Sequence, residues 1–89
     1  MPAISMFYGI VIYLYDERNS KHNFPHIHAK YGEYEVVINI FNGKIIEGGI
    51  PSNKLKLVIA WMELHKEDLM LNWELMKKGE QPFRIIPLN

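Results

Sequence analysis

Residues 23 to 34 read NFPHIHAKYGEY and hold two of the chain's four histidines, His26 and His28, two residues apart and directly after a proline. Imidazole is the side chain whose charge changes nearest neutral pH, so such a pair has three chemical uses. Two neutral ring nitrogens can be aimed at one metal ion, with Glu33, Glu35, Glu47, His22 or His65 as a third ligand. No spacing singles out that ligand, and no resident metal or other cofactor is expected. Alternatively, one ring removes a proton while the other donates one, as metal-free cleavage of RNA through its 2′-hydroxyl requires. Lys30, Arg18 or Lys21 would then stabilise the phosphate. In the third use, the histidines form a docking face for protein or RNA with Tyr13, Tyr15, Arg18, Lys30, Tyr31 and Glu35. Against all three stands the plain reading of two polar residues on the outer side of a sheet.

The elements around the pair decide which way it points. Ile10 to Tyr15 is β-branched and aromatic throughout, as expected of a covered strand, and Asp16 to Asn23 is a polar loop. His26–Tyr31 and Tyr34–Ile40 flank Gly32-Glu33, which reads as a two-residue hairpin turn. Asn42-Gly43 reads as another, leading into Lys44–Glu47. Four antiparallel strands result. With the turn at Gly32-Glu33, Tyr31 faces Tyr34, Ala29 faces Val36 and Ile27 faces Ile38 on one side of the sheet. Lys30 faces Glu35, His28 faces Val37 and His26 faces Asn39 on the other. The two imidazoles are therefore expected on one accessible face, away from the helices, with Cα atoms roughly 6.5–7 Å apart. Val11, Tyr13 and Tyr15 would line the same face.

The second half is helical. Pro51-Ser52 starts it, Gly79 and Pro82 stop it, and Leu55, Val58, Ile59, Met62, Leu69, Trp73 and Met76 form the apolar stripe. One helix from Asn53 to Lys78 would be about 39 Å long. A compact domain of this size has a radius of gyration near about 12 Å and a diameter of about 31 Å. Either the helix breaks near His65-Lys66-Glu67-Asp68, where the acidic pair suits a new N-terminus, or a second subunit covers the overhang as a homodimer. Trp61 and Trp73 read as core or dimer-seam residues, Gly48-Gly49 as a turn, and Phe83–Ile86 as a fifth, edge strand. The expected fold is a small two-layer α+β domain: an antiparallel sheet packed on one long or broken C-terminal helix. It forms a single domain over residues 1–89, with strands within about 4–47, the helical region at about 53–78 and the last strand at about 83–87.

Composition narrows the function classes. With 48% hydrophobic and 22% charged residues the chain is globular, not disordered. Ten basic residues balance ten acidic ones, which argues against a protein that wraps duplex nucleic acid. There is no cysteine, so disulfides and thiolate metal sites are excluded. The apolar run Ile4–Leu14 lacks a basic leader and is too short to span a bilayer, which fits a strand of a cytoplasmic protein without membrane contact. No phosphate-loop, dinucleotide-binding or nucleophile-elbow signature is present.

Five stretches, MPAISMFYGIVIYLY, PHIHAKYG, GGIP, WMELHKEDLMLNWE and RIIPL, occur in an order that resembles the small bacterial domain of unknown function 4160 over nearly the whole chain. The family's usual Pro-His-Phe-His is found here with Ile27 in place of Phe. The resemblance implies a bacterial or phage-derived cytoplasmic protein, commonly encoded beside a second small protein in toxin–antitoxin-like pairs. It directs interest to His26, His28, Tyr31, Gly32, Trp61, Glu63, His65, Asn72 and Trp73. The leading expectation is the toxin-like member of such a pair, with the antitoxin-like neighbour as partner, binding a protein or RNA target through the His26/His28 face. The alternatives are a metal-free ribonuclease using both histidines as acid and base, then a metal-dependent hydrolase.

Overall fold

Among the described residues, five strands pair antiparallel in simple chain order, and two helices follow them. They are β1 (Ala3–Phe7), β2 (Ile10–Tyr13), β3 (His26–Tyr31), β4 (Tyr34–Asn39) and β5 (Ile45–Gly49), then α1 (Ser52–Leu64) and α2 (Lys66–Lys77). The computed structural model describes residues 3–15 and 24–89. Arg18, Lys21 and His22 lie outside the described residues. Among the described residues, no helix is long and apolar enough to cross a membrane.

The fold is the expected α+β arrangement, but its fifth strand comes from the other end of the chain. The apolar run read as one strand is a hairpin: Tyr8 (φ 51°) and Gly9 (φ 78°) are both left-handed, the requirement of a type I′ turn. No polar residue marks that turn, which is why the run read as continuous. An irregularity between Ala3 and Ser5 lets the consecutive residues Ile4 and Ser5 both be buried. The tail expected as an edge strand forms none. Pro82 and Pro87 have no N–H to donate, and a single backbone bond, Ile85 N–H to the Ile4 carbonyl at 2.8 Å, joins the tail to β1.

The β3–β4 register is the one the Gly32-Glu33 turn demands, from Tyr31 opposite Tyr34 to His26 opposite Asn39. The next connection is longer than Asn42-Gly43 alone. Asn39 N–H donates to the Lys44 carbonyl, Gly43 N–H donates to the Asn39 carbonyl, and the Asn39 side-chain oxygen accepts from Phe41 N–H. Asn-Gly closes a loop over Ile40–Gly43, not a two-residue turn. Gly48-Gly49, expected as a turn, belongs to β5, where Gly48 (φ 73°) brings the strand against β4.

Ile12, Ile27, Ala29, Val36 and Ile38 present one continuous apolar face to Val58, Trp61 and Leu69 of the helices. The helical region breaks at His65 (φ −122°, ψ 26°), and Glu67 and Asp68 occupy the first turn of α2 as their charge favours. The break removes the overhang: the longest dimension is 34 Å and the radius of gyration 11.9 Å. At the far end Gly79 (φ 80°) donates to the Met76 carbonyl and Glu80 to the Leu75 carbonyl, a helix stop of the Schellman type.

A Cβ at Gly48 would run into the Glu35 carbonyl oxygen, whereas one at Gly43 meets open space. Both positions are left-handed, so alanine strains each by about 1–2 kcal/mol. Gly48→Ala is therefore expected to lower unfolding free energy by at least about 1 kcal/mol more than Gly43→Ala. Paired urea titrations test this; equal midpoints would disprove the β4–β5 contact.

Candidate functional site

Strand alternation assembles the site. Rows across the outer face run Val11–Lys30–Glu35–Gly49 and Tyr13–His28–Val37–Glu47. His26 extends that face by one step, and the His26 and His28 ring centroids are 5.3 Å apart. Tyr13 and Tyr15 stack nearly parallel, 5.7 Å between centroids, and the Tyr15 and His28 rings meet in a T-shape with centroids 4.4 Å apart. Lys30 Nζ lies 5.0 Å from the centre of the Tyr13 ring and 6.0 Å from that of Tyr15.

Hydrogen bonds define how the rings are oriented. His28 Nδ1 is 2.8 Å from Glu35 Oε2; the carboxylate accepts, so Nδ1 carries the proton. His26 Nδ1 is 2.8 Å from the Phe24 carbonyl, which likewise can only accept. The Lys30 amine is raised above its ordinary value of 10.5, first by its hydrogen bond with the Tyr15 side chain and its electrostatic interaction with that group, then by Glu35.

One expectation is overturned here. The rings do share a face, but they do not form an accessible pair: His26 is 1% exposed and His28 9%. His26 packs against Phe24 at 6.0 Å and against Trp73 of α2 at 5.2 Å. Alternation decides the side of a sheet, while packing from other elements decides whether that side meets solvent. An acid–base pair must reach its substrate with both rings, and His26 has no such approach. Among the described residues, no three His, Asp or Glu side chains gather where an ion could sit. Glu33, Glu47 and His65 therefore do not complete a ligand set with the pair.

Tyr13, Tyr15, Lys30 and Glu35 of the expected docking residues come together around His28. Tyr31 does not, because odd spacing from Lys30 sends it to the helix side, where Lys54 Nζ stands 5.1 Å from its ring. Arg18 lies outside the described residues. Other positions singled out serve the scaffold. Trp61 is buried and donates its indole N–H to the Ile86 carbonyl at 2.9 Å. His65 sits at the helix break, 5.5 Å from Trp61, with Nδ1 3.9 Å from Asp68. Glu63 is exposed beside a cleft of about 130 Å³ between α1 and the β4–β5 loop. Asn72 grips the tail through both atoms of its amide. Ser5, missed by sequence reasoning, is buried and donates to the Ile85 carbonyl at 3.0 Å. A lone serine in an apolar strand carries no signal of such a partner.

These features define a small α+β domain with a tyrosine-, lysine- and histidine-bearing outer sheet face. Residues 9–74 match the family described as Domain of unknown function (DUF4160), and the chain belongs to that family. No curated protein and no solved structure matches the chain.

Tyr15→Phe removes the hydroxyl that holds Lys30, so the Lys30 amine is expected to fall toward 10.5. A raised base adds stability that is complete below its unfolded value and is lost as pH climbs through the folded one. The Tyr15–Lys30 contribution is thus present at neutral pH and disappears only above about pH 10.5. NMR titration of the Lys30 side chain in both proteins reads the shift, and an unchanged midpoint would refute the contact.

Proposed function

We propose that the chain is the toxin-like member of a bacterial two-protein module and works in the cytoplasm by binding a protein through the outer sheet face. The observation that carries this reading is the cluster at Tyr13, Tyr15, Lys30 and Glu35: stacked phenol rings, an ammonium against them and a carboxylate bonded to His28. Tyrosines supply contact area at small entropic cost and are frequent anchors of protein interfaces. Their hydroxyls, with Lys30 and Glu35, supply directional polar contacts at the rim.

Charge favours a protein over RNA. Lys30 is matched across the strands by Glu35, Glu47 lies in the adjacent row, and the whole chain has no net charge. Phosphate backbones are bound by an excess of cations. The module itself is suggested by family resemblance, whose members are commonly encoded beside a second small protein.

Expression of the chain alone is expected to arrest growth, and co-expression of the neighbouring gene product to relieve the arrest. Healthy growth at high expression would remove the toxin-like role. Replacing Tyr13 and Tyr15 by alanine is expected to abolish the arrest caused by the chain alone without unfolding the domain, because interface anchors of this kind carry most of the binding energy. Undiminished arrest by a folded variant would move the binding surface elsewhere.

A further inference from the structure

The last residues are held by a groove, not by a sheet ladder. Phe83–Ile86 lies between β1, the first strand of the sheet, and the helix pair. The Asn72 side chain donates to the Phe83 carbonyl at 2.8 Å and accepts from its N–H at 2.9 Å. Ile85 bonds Ser5 and the Ile4 carbonyl, and Trp61 donates to Ile86. All these bonds go to main-chain groups of the tail. One side chain, Ile85, is sunk in the core at 4% exposure. Main-chain bonding with a single aliphatic anchor recognises an extended segment, irrespective of how that segment is connected.

The connection is tight. α2 ends at Lys77, Gly79 and Glu80 close the helix stop, and by Phe83 the chain has doubled back to Asn72, 11 residues earlier. We propose that two copies of the chain exchange this strap, the Phe83–Ile86 segment of each seated against β1, Trp61 and Asn72 of the other. A second copy is the partner because the sequence that the groove holds is this one, and a second copy brings it with identical bonds. Exchange opens only the reverse turn at Gly79–Pro82 and keeps every strap contact, which makes swapping a low-cost route to a dimer. Exposed apolar side chains are found on the strap itself and on the helix that clamps it. Leu71, next to the clamp residue Asn72, is 52% exposed, Phe83 38% and Ile86 72%. A second copy drawn alongside would cover them, and their burial would offset the loss of association entropy. The groove is separate from the histidine face, so the inference stands whether or not the proposed function holds.

Connector length tests it in the full-length chain. With Glu80 and Gln81 removed, Phe83 cannot return to Asn72 of its own chain, and light scattering is expected to find a folded dimer. With a short Gly/Ser insertion between Glu80 and Gln81, a monomer is expected. Differently tagged natural copies incubated together at about 1 mM are expected to form mixed dimers, at least about ten-fold more than the lengthened variant. A folded monomer from the shortened connector, or equal mixed-dimer yields from the natural and lengthened chains, overturns the proposal. Should the shortened variant fail to fold, the tagged-copy comparison decides alone.

Discussion

Both faces of the sheet depend on one pairing, Tyr31 with Tyr34 across Gly32-Glu33. Gly32 at φ 59° closes the turn, and every residue of β3 is then committed to a side. Ile27 and Ala29 face the core under the helices while His26, His28 and Lys30 take the opposite side of the sheet. A shift of one residue would bury Lys30 and Glu35 and expose the isoleucines, so the hydrophobic pattern itself enforces the register. Gly48 extends the constraint to β5, because only a residue without a side chain fits against the Glu35 carbonyl.

A second constraint operates where polar groups meet the core. Among the described residues, no buried side-chain nitrogen or oxygen lacks a hydrogen-bond partner. Ser5 and Asn72 are buried, and the main chain of the tail satisfies both. An unpaired buried amide or hydroxyl costs about 1–3 kcal/mol, so the irregular tail is part of the fold and not an appendage. The same logic reaches His26, whose Nδ1 proton is taken by the Phe24 carbonyl.

The outer face combines these two effects. Register brings Tyr13, His28 and Lys30 into adjoining rows, and hydrogen bonds then orient them. The Glu35 carboxylate sets the proton on His28 Nδ1, and Tyr15 secures the Lys30 amine. The result is a surface of oriented aromatic and charged groups, suited to contact more than to proton transfer between two exposed imidazoles.

How much of this was legible depended on the range of the interaction. The Gly32 turn, the strand alternation, the acidic start of α2 and the Gly79 stop are local, and the residues that cause them lie within a few positions of one another. The chain by itself therefore determined the α+β class and the β3–β4 register, and it left two answers to the helix overhang, of which tertiary packing chose the break at His65. The hairpin at Tyr8-Gly9 is silent in the sequence because an apolar turn has no polar marker, and Tyr31, expected among the docking residues, lies on the helix side as strand alternation requires. Tertiary structure alone decided that Trp73 of α2 packs on His26, that the tail lies along β1 without joining the sheet, and that Asn72 and Ser5 hold it there. Those contacts join residues up to 80 positions apart. Their geometry exists only once sheet and helices have packed, and no local pattern encodes it.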